Sequence, residues 1–146
     1  MNRYSKLACL VAMLLAGCGT SKTAFNVAFG RERPPEIVML NEKLTTSADS
    51  NQVLLYGKYS GSKEAFHALV VDLNLKRVDS GKGLVVPPTA LSLEWWTPPS
   101  FEEQLSIDER YYYFDRGVEN ERPTQEVVTL YTNGVIYLFK NGYPGK

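Results

Sequence analysis

Cysteine, histidine and net charge are all scarce in this sequence. Its 146 residues include two cysteines and one histidine, which leaves almost no material for a protein-ligated zinc site. Basic and acidic side chains are equal in number, 16 each, so no excess of positive charge points to nucleic acid. Charged residues at 22% and hydrophobic residues at 44% are typical of one globular domain. We therefore expect no metal cofactor and no nucleic-acid partner.

Long hydrophobic runs are also lacking. Arg3 and Lys6 precede an uncharged apolar run over residues 7–15, and the small residues Ala16 and Gly17 follow it. A helix needs about 20 residues to cross a bilayer, so this run is too short for a permanent span. A positive start, a short apolar core and a small-residue exit are typical of a secretory signal peptide. Residues 1–17 are predicted to be a cleaved signal peptide.

The end of that segment reads Leu15-Ala16-Gly17-Cys18. These four residues resemble the lipobox of bacterial lipoproteins. The resemblance implies that the Cys18 sulfur, as the nucleophile, carries a covalent diacylglyceryl group. It also implies cleavage just before Cys18 and an N-acyl chain such as palmitate on the new amino terminus. The alternative is a secreted protein in which Cys18 carries an unmodified thiol.

Two neighbouring residues refine this expectation. Cys9 is a poor lipidation site, because no apolar core precedes it. Gly19 follows the lipidated cysteine, and the resemblance then implies export to the outer membrane rather than retention in the inner one. The mature chain would have 129 residues, with 14 basic and 16 acidic side chains. Without a second cysteine it forms no internal disulfide, so its stability must come from a packed core.

Residues 18–35 are predicted to be the lipidated N-terminus and a tether. Residues 19–23 are small or polar, and Pro34-Pro35 is stiff and extended. Phe25, Val27 and Phe29 nevertheless alternate with less bulky residues. They either form a first edge strand or pack against the domain from outside. Residues 36–146 are predicted to be a single β-rich globular domain.

Short strands and frequent Gly/Pro turns dominate that domain. The clearest alternation covers residues 67–75, where His67, Leu69, Val71 and two later leucines share one parity, so we predict a strand there. One short helix is compatible with residues 101–110. The pattern as a whole predicts an all-β fold, either a small antiparallel β-sandwich or a barrel.

The C-terminal β-hairpin is the most specific structural signal. Two β-rich runs, 126–132 and 135–140, are joined by Asn133-Gly134, which tolerates the positive φ angles of a two-residue type I′ turn. This register pairs Leu130 with Tyr137 on one face. Both faces of the hairpin are largely apolar, so we expect it to be covered on both sides.

The single histidine, His67, is the obvious candidate for catalysis. A general base needs a partner within hydrogen-bond reach, and the sequence names none, since Asp72 has the opposite parity on the predicted strand. No serine lies in a nucleophile-elbow motif. We therefore expect a partly buried histidine and no enzyme activity.

Acidic side chains cluster between residues 97 and 126, where eight carboxylates face three arginines. They form either a solvated loop or a docking surface for a basic partner. The carboxylates that we assign to a binding rim are Glu102, Glu103, Asp108 and Glu109.

Aromatic residues cluster at Trp95-Trp96 and in the run 111–114. They either belong to a strand covered on both faces, or to a small core under a loop, or form a binding platform. The predicted platform residues are Trp95, Trp96, Tyr111 and Tyr113.

Together these patterns predict a lipid-anchored outer-membrane protein of the cell envelope. We expect a non-enzymatic binding or accessory module that contacts the membrane through its lipid and recognises an envelope protein. The module would serve a machinery for assembly, secretion or conjugation, or it would block a receptor. The alternatives are a small periplasmic ligand carrier, an envelope hydrolase, or a structural component without a discrete ligand.

Overall fold

The computed structural model describes residues 22–48, 51–78, 93–115 and 125–145. Three short helices lie in these ranges: α1 (Ala24–Phe29), α2 (Lys63–Asp72) and α3 (Phe101–Leu105). Six strands accompany them: β1 (Val38–Thr46), β2 (Val53–Ser60), β3 (Lys76–Arg77), β4 (Arg110–Asp115), β5 (Gln125–Thr132) and β6 (Val135–Gly142).

The six strands form one antiparallel sheet in the order β1-β2-β6-β5-β4-β3. This confirms the predicted class in its coarse form, because the fold is mostly β. The sheet is open, with β1 and β3 at its two edges, so the prediction of a closed barrel is wrong. The described residues form a single sheet, without the second sheet that a sandwich requires.

The predicted C-terminal hairpin is confirmed as β5 and β6. Asn133 and Gly134 have φ angles of 49° and 80°, as a type I′ turn requires. Leu130 pairs with Tyr137, in the predicted register. β6 lies in the interior of the sheet, between β2 and β5. Its buried residues extend over both faces, which agrees with the expectation of a hairpin covered on both sides.

Helices α1 and α2 pack on one face of the sheet, which we call the helix-covered face. Its core joins helix residues to alternate strand residues, as the period of two demands. The buried members of this core are Phe25, Ile37, Tyr59, Ala65, Phe66, Leu69, Val70, Val127, Ile136 and Leu138.

The opposite face of the sheet is covered by residues 93–107, which include α3. Trp96 is buried there against Tyr56 and Tyr137. The short helix that was compatible with residues 101–110 is present as α3. It begins at a capping box in which the Ser100 and Glu103 side chains each accept from the other's backbone N–H.

The predicted strand over residues 67–75 is wrong, because most of this segment belongs to α2. The Ser62 hydroxyl accepts from the backbone N–H of Ala65 and starts the helix. Phe66, Leu69 and Val70 point into the core, at helical spacing. Val71 lies on the outer side and is 78% exposed. The consecutive apolar residues 69–71 fit the period of a strand as well as that of a helix. The Ser62 cap and the packing of the segment favoured the helix.

Residues 24–29 pack against the sheet rather than forming an edge strand. They form α1, in which Thr23 caps the first turn and Gly30, at φ 69°, ends the helix in the left-handed conformation. Phe25 is only 1% exposed, and its ring centre lies 4.7 Å from that of Phe29. Of the two alternatives for this segment, packing against the domain is the one that the structure supports.

Candidate functional site

A pocket of about 310 Å³ opens on the helix-covered face. It lies where the residues after α1 and the C-terminal end of α2 meet strands β4, β5 and β6. Its walls are partly apolar and partly polar. The lining includes Phe29, Arg31, Asp72, Tyr113, Gln125 and Lys140.

Lys140 is the unusual residue of this pocket. It lies on β6 and is only 6% exposed. Its Nζ donates to the carbonyl oxygen of Ala28 and lies 4.7 Å from the ring centre of Phe29. Burial lowers the pKa of the Lys140 amine to about 8, so the amine remains mostly protonated at neutral pH. Among the described residues no carboxylate forms an ion pair with it.

The rim of the pocket is held by an ion pair. Arg31 Nη1 lies 2.8 Å from Asp72 Oδ1 and also donates to the Asp72 backbone carbonyl at 3.0 Å. Both side chains are about half exposed, so the pair itself adds little stability. It does connect the segment after α1 to the end of α2 at the pocket.

A second polar cluster surrounds Glu109 on the same face. Its Oε1 accepts from Lys63 at 2.7 Å, and its Oε2 lies 2.7 Å from His67 Nε2. The Tyr111 hydroxyl donates to Oε2 at 3.3 Å. The hydrogen bond from Lys63, with a smaller contribution from His67, lowers the pKa of Glu109 to about 2. Lys63 and His67 lie on α2, so this carboxylate ties α2 to the sheet.

We expect Glu109→Gln to destabilise the fold at neutral pH by about 1 kcal/mol, because it removes the charge that pairs with Lys63. The folded-state pKa of Glu109 is below its usual value of 4.5. Its stabilising contribution is therefore present above about pH 4.5 and is lost as the pH falls towards 2. Urea unfolding of wild type and variant at several pH values would measure this.

The exposed carboxylate variant Glu102→Gln is the matched control for that experiment. It should change the free energy of unfolding by less than about 0.5 kcal/mol at any of these pH values. A Glu109→Gln protein whose deficit stays constant from pH 7 to pH 2 would contradict the role assigned to this carboxylate.

Sequence reasoning found no partner for His67, yet the structure supplies one in Glu109, 42 residues away. His67 is exposed on α2 rather than partly buried on a strand. A His–carboxylate pair alone is not a catalytic triad, which also requires a nucleophile on the histidine. In the part of the chain that is described, His67 makes its hydrogen bond to Glu109, and no hydroxyl bonds to it.

The structure divides the four predicted platform aromatics between the two faces of the sheet. Tyr111 and Tyr113 lie on the helix-covered face, where Tyr111 contacts Phe66 and Tyr113 lines the pocket. Trp95 and Trp96 lie on the opposite face, with ring centres 5.9 Å apart. The four do not form one continuous surface. Trp96 is buried, so packing describes it better than a platform does.

The four predicted rim carboxylates are also in different environments. Glu102 is exposed on α3, while Glu103 belongs to the capping box at the start of that helix. Asp108 is exposed and lies 3.5 Å from Arg77 Nη2. Glu109 is occupied by Lys63 and His67. Glu102 and Asp108 therefore retain the exposure that a docking rim requires.

Lys140 was missed at the level of sequence, although one signal for it exists. Ile136, Leu138 and Lys140 share a parity on β6, so the same alternation that buries the two apolar residues also buries the lysine. The pocket around it could not be inferred, because it needs the fold that brings α1 and α2 next to β6.

Comparison with protein-family models, curated proteins and solved structures finds no match for the chain. Within the four described ranges no helix is long and apolar enough to cross a membrane. The same ranges contain no group of three or more His, Cys, Asp or Glu side chains that could hold a metal ion. The predicted lipidation site, Cys18, lies outside the described residues.

Proposed function

We propose that the chain is an outer-membrane-anchored lipoprotein whose mature domain is a non-enzymatic binding module for another component of the cell envelope. The lipobox-like residues Leu15-Ala16-Gly17-Cys18 support the anchor. The observation that carries the binding role is the open pocket around Lys140, a buried cation without a carboxylate partner among the described residues.

The argument from Lys140 concerns the energetics of buried charge. Moving an ammonium group out of water is costly, and proteins usually offset that cost with an opposite charge close by. Here the carbonyl of Ala28 and the ring of Phe29 replace water only in part. A ligand that brings the missing negative charge into the pocket would complete the arrangement. A concave site with a few convergent polar groups and one perturbed pKa is the usual form of a binding site.

The ligand-carrier alternative would use the same pocket. Its volume of about 310 Å³ is at the lower end of the range of about 300–1,000 Å³ for small-molecule sites, so a small ligand or one chain end would fill it. The hydrolase alternative has weaker support. Its best candidate is His67, and Glu109, the partner of His67, is also bound to Lys63 and Tyr111.

Site-specific photo-crosslinking in producer cells would test the binding role. One variant carries the photoreactive residue at Gln125, which lines the pocket and is partly exposed, and the matched control carries it at Glu102, which is exposed on α3. We expect a discrete crosslinked product from position 125 and none from position 102, with the two proteins at equal levels.

The other outcomes are equally informative. Products only from position 102 would reject the pocket as the contact site and favour a surface near α3. If neither position gives a product although the photoreactive residue is present at both, the result would count against a binding module in general. The same cells with Cys18→Ala would show whether lipidation and processing are needed for the contact.

A further inference from the structure

We propose that the pocket around Lys140 binds a small ligand that has one carboxylate group and an apolar body. This inference rests on the proposed binding role of the pocket and specifies the class of its ligand. The carboxylate belongs either to a free small acid or to the C-terminal end of a peptide chain. The two sources present the same chemistry to the pocket.

The charges of the lining favour a single negative charge. Three charged side chains line the pocket: Arg31, Asp72 and Lys140. Arg31 and Asp72 neutralise each other at 2.8 Å, so one positive charge is left, that of Lys140. One carboxylate balances this charge. A doubly charged phosphate would exceed it.

The hydrogen-bonding capacity of Lys140 fits the same ligand. An ammonium group has three N–H donors, and the Ala28 carbonyl accepts one of them. Within the described ranges no other hydrogen bond of this Nζ is present. A carboxylate can accept from the donors that remain, and such charge-assisted bonds are short and strong. Gln125, which also lines the pocket, adds an amide group that can donate to a ligand or accept from it.

The apolar part of the ligand is inferred from the walls. Phe29, Leu73, Tyr113 and Val127 line the pocket together with the polar groups. They form a surface that gains free energy when it is covered by carbon atoms rather than by water. A strongly hydrated anion without a body, such as acetate or inorganic phosphate, would leave these walls wet.

Equilibrium dialysis of the full lipidated protein in detergent micelles would test this assignment. The probes are N-acetyl-leucine, its neutral amide, inorganic phosphate, and a short peptide that ends in leucine with a free carboxylate. We expect N-acetyl-leucine to bind, and the amide and phosphate to bind at least about tenfold more weakly. Binding of the peptide as well would identify a chain end as an acceptable source. If the peptide does not bind, the ligand is a free acid.

Lys140→Met is the central variant, since methionine retains an unbranched side chain without the charge. It should weaken N-acetyl-leucine binding at least about tenfold. Lys43→Met, on the exposed part of β1, is the matched control and should bind as wild type does. If Lys140→Met fails to fold, Gln125→Ala tests the same pocket and should weaken binding about threefold.

Several results would overturn the proposal. These are a lack of N-acetyl-leucine binding to wild type, equal binding of the amide, stronger binding of phosphate, or unchanged affinity in Lys140→Met or in Gln125→Ala. Crosslinks from position 125 without carboxylate binding would reject only the ligand class. If neither crosslinks from position 125 nor carboxylate binding is observed, the binding role is rejected as well.

Discussion

Cys18→Ala is expected to abolish lipid labelling of the protein in producer cells. The modification requires the sulfur nucleophile, and alanine has none. The signal peptide should then remain on the chain, because cleavage in lipoproteins follows lipidation. Two or three acyl chains anchor a protein firmly, at about 0.8 kcal/mol for each buried methylene, and the variant loses all of them. Metabolic labelling with a palmitate analogue, followed by membrane fractionation, would measure the effect.

Cys9→Ala is the matched control, since it removes the other cysteine of the same segment. We expect its labelling, its processing and its distribution among the membrane fractions to match those of wild type. Labelling that persists in Cys18→Ala would contradict the lipobox assignment. Labelling that disappears in Cys9→Ala instead would mean that the wrong cysteine has been assigned.

Phe66→Ala is expected to cost about 3–5 kcal/mol of folding free energy. Phe66 is fully buried at 0% exposure, and from α2 it contacts the rings of two sheet residues. Its ring centre is 5.3 Å from that of Tyr131, nearly parallel, and 5.6 Å from that of Tyr111, edge-on. Alanine would leave a cavity under α2, and small domains have only about 5–15 kcal/mol of stability in total. Urea unfolding would measure the loss.

The control for this experiment is Phe101→Ala, because Phe101 on α3 is 50% exposed. Its cost should stay below about 1 kcal/mol, since much of its surface is already in water. Equal losses in the two variants would contradict the assignment of the core to the helix-covered face.

The parts of the fold that the sequence could predict are those set by local geometry. Asn133-Gly134 determines both a turn type and a register, so the β5–β6 hairpin was predictable to the residue pair. The segment at α2 was not, because Leu69, Val70 and Val71 are consecutive apolar residues that fit both a strand and a helix. In the folded chain the Ser62 cap and the packing of one side of the segment separate the two and leave Val71 exposed, and that packing depends on the partner that covers the helix.

The groups of the candidate site were harder to predict than the fold, for the same physical reason. Glu109 and His67 are 42 residues apart, and Lys140 and Ala28 are 112 apart. No spacing rule operates over such separations, because contact depends on how α1, α2 and the sheet pack. The aromatic residues could be recognised by type, but type does not reveal that Trp95 and Tyr113 lie on opposite faces.

The order of the strands along the chain bears on how such a protein could be exported. Among the described strands, β6 comes last along the chain, and it joins the β1–β2 pair to β5, β4 and β3. A chain that leaves the cell interior with its N-terminus first delivers β6 after every other strand. Until residues 135–142 arrive, the two halves of the sheet cannot pair, and long-range pairing of this kind is slow. The six-stranded sheet therefore forms only once residues 135–142 are available, and in the lipoprotein that we propose this would keep the preceding strands incompletely paired during transport.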